Sequence, residues 1–106
     1  MTPDAFRRLA LALPGAVESK HLGHPDFRVG KRVFATLGYP DGRFAMVKLT
    51  PDQQTALTGA EPTIFSPVKG GWGRRGATLV SLAAADATTA ESALRLAWAN
   101  LQTTQQ

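Results

Sequence analysis

A glycine-rich segment at residues 70–76 contains the side chains best suited to binding chemistry. It reads Gly-Gly-Trp-Gly-Arg-Arg-Gly, which places Trp72 just before Arg74 and Arg75. Glycines let a backbone approach a ligand closely, guanidinium groups offer forked donors that suit phosphate, and an indole ring provides a face for base stacking. The segment is therefore predicted to bind phosphate or nucleic acid. In the alternative interpretation, Trp72 plugs the edge of the core, the glycines form turns and the arginines are merely solvated.

A second set of candidate binding residues lies on predicted strands. Lys48 alternates with apolar neighbours, so it should share one face of its strand with Phe44 and Met46. Arg32 and Phe34 of the preceding strand are expected on the same face. If helices cover the opposite face, an aromatic and basic sheet surface remains open, as in sheets that bind single strands. The alternative is that loops cover Phe34 and Phe44 and leave only Lys48 and Arg32 in contact with solvent.

Two histidines are the only residues that suggest a metal site or an acid–base centre. His21 and His24 lie close to Glu18 and Asp26, but Gly23 interrupts the segment and no third ligand is evident. We therefore expect no bound metal and no cofactor.

Catalytic motifs are equally weak. Ser66 and Lys69 match a serine-acylation motif by spacing, yet Pro67 lies between them and the segment is predicted to be a loop. The seven-residue glycine segment also lacks the Gly-Lys-Ser/Thr ending of a P-loop. We expect a protein that is not an enzyme and has no catalytic residues. An enzymatic function stays open as an alternative only if His21 and His24 line a cleft.

The composition is that of one globular domain over residues 1–106. Hydrophobic residues make up 43% of the 106 residues, which is enough for a packed core without staples. Cysteine is absent, so disulfides, thiolate metal sites and iron–sulfur clusters are excluded. The net charge of +4 favours an anionic partner. No signal peptide or transmembrane stretch is evident, so the expected location is the cytoplasm.

The elements that must position these residues can be predicted from periodicity and turn signals. Thr2 and Pro3 begin a helix that Pro14 and Gly15 stop. Strands are predicted at residues 17–22, 27–29, 32–38, 43–49 and 78–82, with a break in the pattern at Pro25 and Asp26. A short extended piece is predicted at residues 63–65 within a loop over residues 61–76.

Two further helices follow from capping signals. Thr50 and Gln53 form a capping box for a helix that Gly59 should stop near residue 58. Thr88 and Glu91 form a second capping box for the closing helix, which leaves residues 102–106 as a polar, frayed tail. The fold class is α+β, a two-layer sandwich in which the N- and C-terminal helices pack on one face of an antiparallel sheet.

Several segments together resemble the MmcQ/YjbR family. They are the Leu-Pro-Gly at residues 13–15, His-Pro-Asp-Phe-Arg-Val at 24–29, Phe-Ala-Thr-Leu-Gly at 34–38, Ala-Met-Val-Lys-Leu at 45–49, and the glycine-rich run at 70–78. The resemblance implies a frataxin/CyaY-like sandwich and a DNA-binding role through a double-wing surface. Frataxin relatives bind iron through an acidic first helix, but this one offers only Asp4, so iron binding does not carry over.

Two functions follow as hypotheses. The first is a nucleic-acid-binding module for DNA or RNA that uses Arg32, Phe34, Lys48, Trp72, Arg74 and Arg75. The second is an adaptor or regulatory domain that docks a protein partner through the same surface. We expect no membrane association and, by default, a monomer.

Overall fold

A computed structural model of the protein describes residues 1–103, and within them four helices and six strands follow one another along the chain. The elements are α1 Pro3–Leu11, β1 Ala16–His21, β2 His24–Val29, β3 Arg32–Leu37, β4 Phe44–Lys48, α2 Pro51–Ala60, β5 Phe65–Pro67, α3 Gly71–Arg74, β6 Ala77–Ser81 and α4 Ala87–Thr103.

The six strands form one antiparallel sheet in the order β1-β2-β3-β4-β6-β5. Helices α1 and α4 pack against each other and against the same side of this sheet. The main core fills the space between the layers and includes Phe6, Phe27, Phe34, Val47 and Leu94, each almost completely buried. The predicted α+β two-layer sandwich is confirmed.

The helix starts are confirmed in two cases and differ in a third. The Thr2 hydroxyl accepts the N–H of Ala5, and Thr50 and Gln53 form the reciprocal capping box. The closing helix, however, begins one residue before Thr88. Asp86 caps it, because its carboxylate accepts the N–H of Thr89 at 2.7 Å. Hydrogen bonds from Thr89, with a smaller contribution from Thr88, lower the pKa of Asp86.

The predicted end of the first helix was too late, because α1 ends at Leu11, before Pro14 and Gly15. The other two predicted helix ends were too early. Helix α2 continues to Ala60, since the N–H of Glu61 still bonds the carbonyl of Leu57, so Gly59 lies inside the helix rather than stopping it. Helix α4 includes Gln102 and Thr103, which were predicted to belong to the tail. The remainder of the predicted frayed tail, residues 104–106, lies outside the described residues.

The strands differ from the prediction in one respect that matters for the site. Strand β2 runs unbroken through Pro25 and Asp26. Its register with β3 slips, because Phe27 pairs with Ala35 while the adjacent Arg28 pairs with Val33, which makes Phe34 an extra, bulged residue. The alternation expected along β3 therefore fails, and Phe34 and Ala35 are both buried in the main core.

The stretch predicted as a loop over residues 61–76 contains two short elements. These are the edge strand β5 and the single-turn helix α3. No helix of residues 1–103 is both long and apolar enough to cross a membrane.

Candidate binding face

The side of the sheet opposite α1 and α4 carries a second, smaller apolar cluster. Met46, Val68 and Ala77 are buried there, and Leu79 packs against them. This face holds a cavity of about 440 Å³. Its walls also include the exposed apolar side chains Leu22, Tyr39 and Trp72. We call this cavity the apolar cavity.

The polar residues that line the apolar cavity include an ion pair between a buried carboxylate and a partly exposed guanidinium. Asp26 is 2% exposed and its two carboxylate oxygens accept the Nε and Nη2 donors of Arg28 at 2.8 and 3.0 Å. The pair raises the pKa of the Arg28 guanidinium above its ordinary value, chiefly through the hydrogen bonds to Asp26. Alternation along β2 could have predicted the pair, since both residues point to one face, but the strand was expected to break at Asp26.

Thr36 lies directly across from Asp26 in the neighbouring strand and also lines the apolar cavity. Its hydroxyl is hidden from solvent and bonds no group among the described residues. A buried hydroxyl without a partner costs about 1–3 kcal/mol. The floor of the cavity thus holds one unused donor and acceptor beside a carboxylate.

Trp72 projects from α3, where two glycines determine the packing of the turn. A Cβ added at Gly73 would lie 1.6 Å from the carbonyl oxygen of Val68, and one at Gly76 would lie 1.9 Å from that of Leu49. The backbone here packs against the protein's own backbone. The indole is left 60% exposed, so the interpretation in which Trp72 plugs the core is wrong.

A second groove of about 430 Å³ adjoins the apolar cavity and shares Trp72 and Lys48 with it. Arg32 and Arg75 also line this groove, and neither aspartate nor glutamate is among its described lining residues. Arg32 donates to the carbonyl of Leu101 at 3.3 Å, which holds it against the end of α4. We call this second groove the basic groove.

The structure brings most of the predicted binding residues to this basic groove. Arg74 and Arg75 both extend back over Gly71, where an added Cβ would lie 3.6 and 3.5 Å from their guanidinium nitrogens. Within residues 1–103, Lys48, Arg74 and Arg75 form no ion pair. Two residues of the predicted set do not line the groove: one is Arg74, whose guanidinium lies beside Gly71, and the other is Phe34. Phe34 is fully buried beneath the helices, because the bulge turns it to the other face, and the prediction that it could stack on a ligand is wrong.

The histidines lie at the rim of the apolar cavity. His21 and His24 face each other across the β1–β2 hairpin. Over the described part of the chain, no three histidine, aspartate or glutamate side chains are grouped so as to hold a metal ion. The tip of this hairpin, Leu22, was missed by sequence reasoning. It has a positive φ of 52° and is 85% exposed, which only the turn geometry reveals.

Comparison with known proteins finds a solved structure with a similar fold and a matching protein family. The crystal structure of a Deinococcus radiodurans protein, DR2400, described as a DUF419 domain, superimposes with a TM-score of 0.79 at 20% identity, and the match covers 97% of this chain and 80% of that one. No functionally curated protein is significantly similar. The family model of YjbR matches residues 11–100. Because this match spans most of the sequence, the chain belongs to the YjbR family.

Proposed function

We propose that this domain is a non-enzymatic module that binds single-stranded nucleic acid, DNA or RNA, across the basic groove and the adjoining sheet face. Trp72 supplies a stacking surface for a base, and Lys48, Arg74 and Arg75 neutralise phosphates. Arg32 lies at the far side of the same groove. Phe34 has no part in this proposal.

The observation that carries the proposal is the exposure of Trp72 between these cations. A tryptophan that is 60% exposed contributes less to folding than a buried one, and it offers a free ring face at the junction of two grooves. Stacking on such a ring requires an unstacked base, which favours single strands over a duplex. Stacking is also tolerant of sequence, since every base has a π-face.

The charge distribution supports the same function. Arg7, Arg28, Arg43 and Arg95 form ion pairs with carboxylates, whereas the three cations around Trp72 form none within residues 1–103. Cations without carboxylate partners are available for phosphate, and each phosphate contact releases condensed counterions. We therefore expect an affinity that falls steeply as the salt concentration rises.

Titration of labelled single- and double-stranded oligonucleotides, followed by fluorescence anisotropy at several salt concentrations, tests this function. We expect binding at low salt, a preference for single strands and a linear decrease of log affinity with log salt. If neither form binds even at the lowest salt concentration, the domain is not a nucleic-acid-binding module.

A protein-docking function is the second candidate, and exposed apolar side chains favour it. Leu22 and Tyr39 are exposed and line the apolar cavity, and aromatic and apolar anchors dominate protein interfaces. A partner bound in this way would remain bound at moderate salt, because apolar burial is not screened. Retention in salt therefore separates the adaptor from the nucleic-acid-binding module.

A further inference from the structure

The two grooves share Lys48 and Trp72 but differ in chemistry. The basic groove carries cations and no carboxylate among its described lining residues. Half of the residues that line the apolar cavity have aliphatic, thioether or aromatic side chains, including Val33, Met46 and Val68, and apolar atoms contribute most of its accessible surface. A ligand that spans the junction would have an anionic part on one side and an apolar, flat part on the other.

We infer that the apolar cavity is a pocket for one unstacked nucleobase of a strand whose phosphates lie in the basic groove. This inference rests on the proposed function and adds to it a defined base-binding site. The cavity volume of about 440 Å³ is within the range of about 300–1,000 Å³ typical of small-molecule pockets, so a nucleobase ring has room. Trp72 lines both spaces, and so does Lys48.

The floor of the cavity offers polar partners for the edge of a base. Each Asp26 oxygen accepts one hydrogen bond from Arg28 and retains capacity for another, because a carboxylate has about four acceptor sites. Thr36 lies beside it with an unpartnered hydroxyl that is hidden from solvent. Rotation about the Cα–Cβ bond would be needed to bring this hydroxyl into the cavity, where it could donate one hydrogen bond and accept two. An apolar chamber with a few convergent polar groups is typical of a ligand site.

The alternative occupant, an apolar side chain of a protein partner, fits the charges less well. A hydrophobic side chain would leave the Thr36 hydroxyl without a partner and would make no use of Lys48 at the junction. A base joined to a phosphate would use the cavity, the ring of Trp72 and Lys48 together. The combined chemistry therefore favours a nucleotide unit.

The test compares a short single-stranded oligonucleotide with a strand of the same length that lacks its bases. Both strands present the same phosphates to the basic groove. We expect the intact strand to bind about 5- to 150-fold more tightly, the equivalent of about one stacked base. If a nucleoside monophosphate displaces the intact strand at a concentration comparable to that of the strand, the pocket also binds the base of a free nucleotide.

Val33→Phe fills the cavity from its floor, and Val17→Phe is the matched control. Val17 is exposed on the edge strand β1 and does not line the apolar cavity. We expect Val33→Phe to reduce the affinity for the intact strand to that of the base-free strand, with no change in the latter, and Val17→Phe to leave both unchanged. Thermal unfolding of each variant verifies that it is folded.

Thr36→Val provides a second variant that keeps the cavity open. It removes an unpartnered buried hydroxyl, so folding stability should be unchanged or higher, while the preference for the intact strand decreases. Equal binding of the intact and base-free strands, or an unchanged preference in Val33→Phe, would overturn the base pocket and leave the proposed function in place. If neither the intact nor the base-free strand binds, both the base pocket and the proposed function are overturned.

Discussion

Trp72 and Trp98 differ in what their side chains contact, so they separate binding from folding. Trp72 is mostly exposed, whereas Trp98 packs against the main core and donates its indole N–H to the carbonyl of Pro14 at 2.8 Å. We expect Trp72→Ala to lower the free energy of unfolding by about 1 kcal/mol, well below the ~3–5 kcal/mol of a fully buried tryptophan. Affinity for single strands should fall about 5- to 150-fold.

Trp98→Ala is the matched control and should behave in the opposite way. The loss of core packing should cost about 3 kcal/mol, while the affinity of the remaining folded protein stays the same. Urea unfolding and anisotropy titration of both variants provide the two measurements. A loss of stability in Trp72→Ala as large as that in Trp98→Ala would contradict the exposed position of Trp72.

Asp41 gives a residue-level prediction about pH. Its carboxylate accepts the Nε and Nη2 donors of the Arg43 side chain and the Arg43 backbone N–H, and these bonds lower the pKa of Asp41 from 3.8 to about 2. A carboxylate whose pKa is lower in the folded state stabilises the fold above its unfolded pKa and loses this contribution as the pH falls.

The free energy of unfolding should therefore decrease between about pH 4 and pH 2, and Asp41→Asn should remove part of that decrease. Denaturant unfolding at a series of pH values measures it for both proteins. Parallel curves for the wild type and Asp41→Asn over this window would show that the pair with Arg43 does not stabilise the folded state.

At the level of elements, two glycines in and just after α3 should be indispensable, because they lie very close to the backbone of Val68 and of Leu49. Gly73→Ala and Gly76→Ala each place a Cβ inside the carbonyl group of Val68 or Leu49. The backbone must move to relieve such a clash, and a cost of more than about 3 kcal/mol is expected for strain of this severity. Thermal unfolding should show both variants strongly destabilised.

Gly59 is the control for these substitutions. It lies near the end of α2, and an added Cβ there meets nothing within 4 Å. Alanine is the better helix former, so Gly59→Ala should raise stability by about 0.4–1 kcal/mol. If all three glycine variants had the same stability as the wild type, the close approach of Gly73 to Val68 and of Gly76 to Leu49 would be wrong.

The same elements show how far the sequence predicts this fold. The alternation of Ala45 and Val47 with Met46 and Lys48 is confirmed along β4, because a strand that pairs regularly on both sides keeps its period of two. The position of Phe34 was not predictable in this way. A bulge depends on the register between β2 and β3, which is a contact between strands and not a property of either one.

The candidate site shows the same limit. The residue types around Trp72 indicated an anion-binding surface, and Lys48, Arg32 and Arg75 do meet at one groove. The orientation of Trp72, in contrast, depends on the approach of Gly73 to Val68 and of Gly76 to Leu49. Gly76 and Leu49 are far apart in the chain, and Val68 lies outside the helix that contains Gly73. The local sequence pattern therefore does not predict these contacts.

At the scale of the whole molecule, the two layers have different roles. The main core, between the helices and the sheet, contains the largest buried side chains and accounts for most of the buried apolar surface. The opposite face has only a small apolar cluster around Met46 and Val68 and carries the apolar cavity, whereas the basic groove also has the end of α4 as a wall, through Ala97, Asn100 and Leu101. Substitutions of exposed residues on this face should therefore alter binding with little effect on folding.

Replacement of Lys48, Arg74 and Arg75 together by alanine tests whether these cations bind phosphate. Exposed charges add little to folding, so the thermal unfolding midpoint should stay close to that of the wild type. For single strands, each lost phosphate contact lowers the magnitude of the slope of log affinity against log salt by about 0.7. In the triple variant, the magnitude of this slope should thus be smaller by about 2, and most of the affinity at low salt should be lost.

Arg8, Lys20 and Arg95 changed to alanine form the matched control. All three are exposed, none lines the apolar cavity or the basic groove, and the net charge falls from +4 by the same amount as in the other triple variant. If the long-range field of the whole protein governed binding, both variants would weaken it equally. If specific phosphate contacts in the basic groove govern it, the control keeps nearly the wild-type slope, and an equal loss of slope in both variants would rule out a localised binding face.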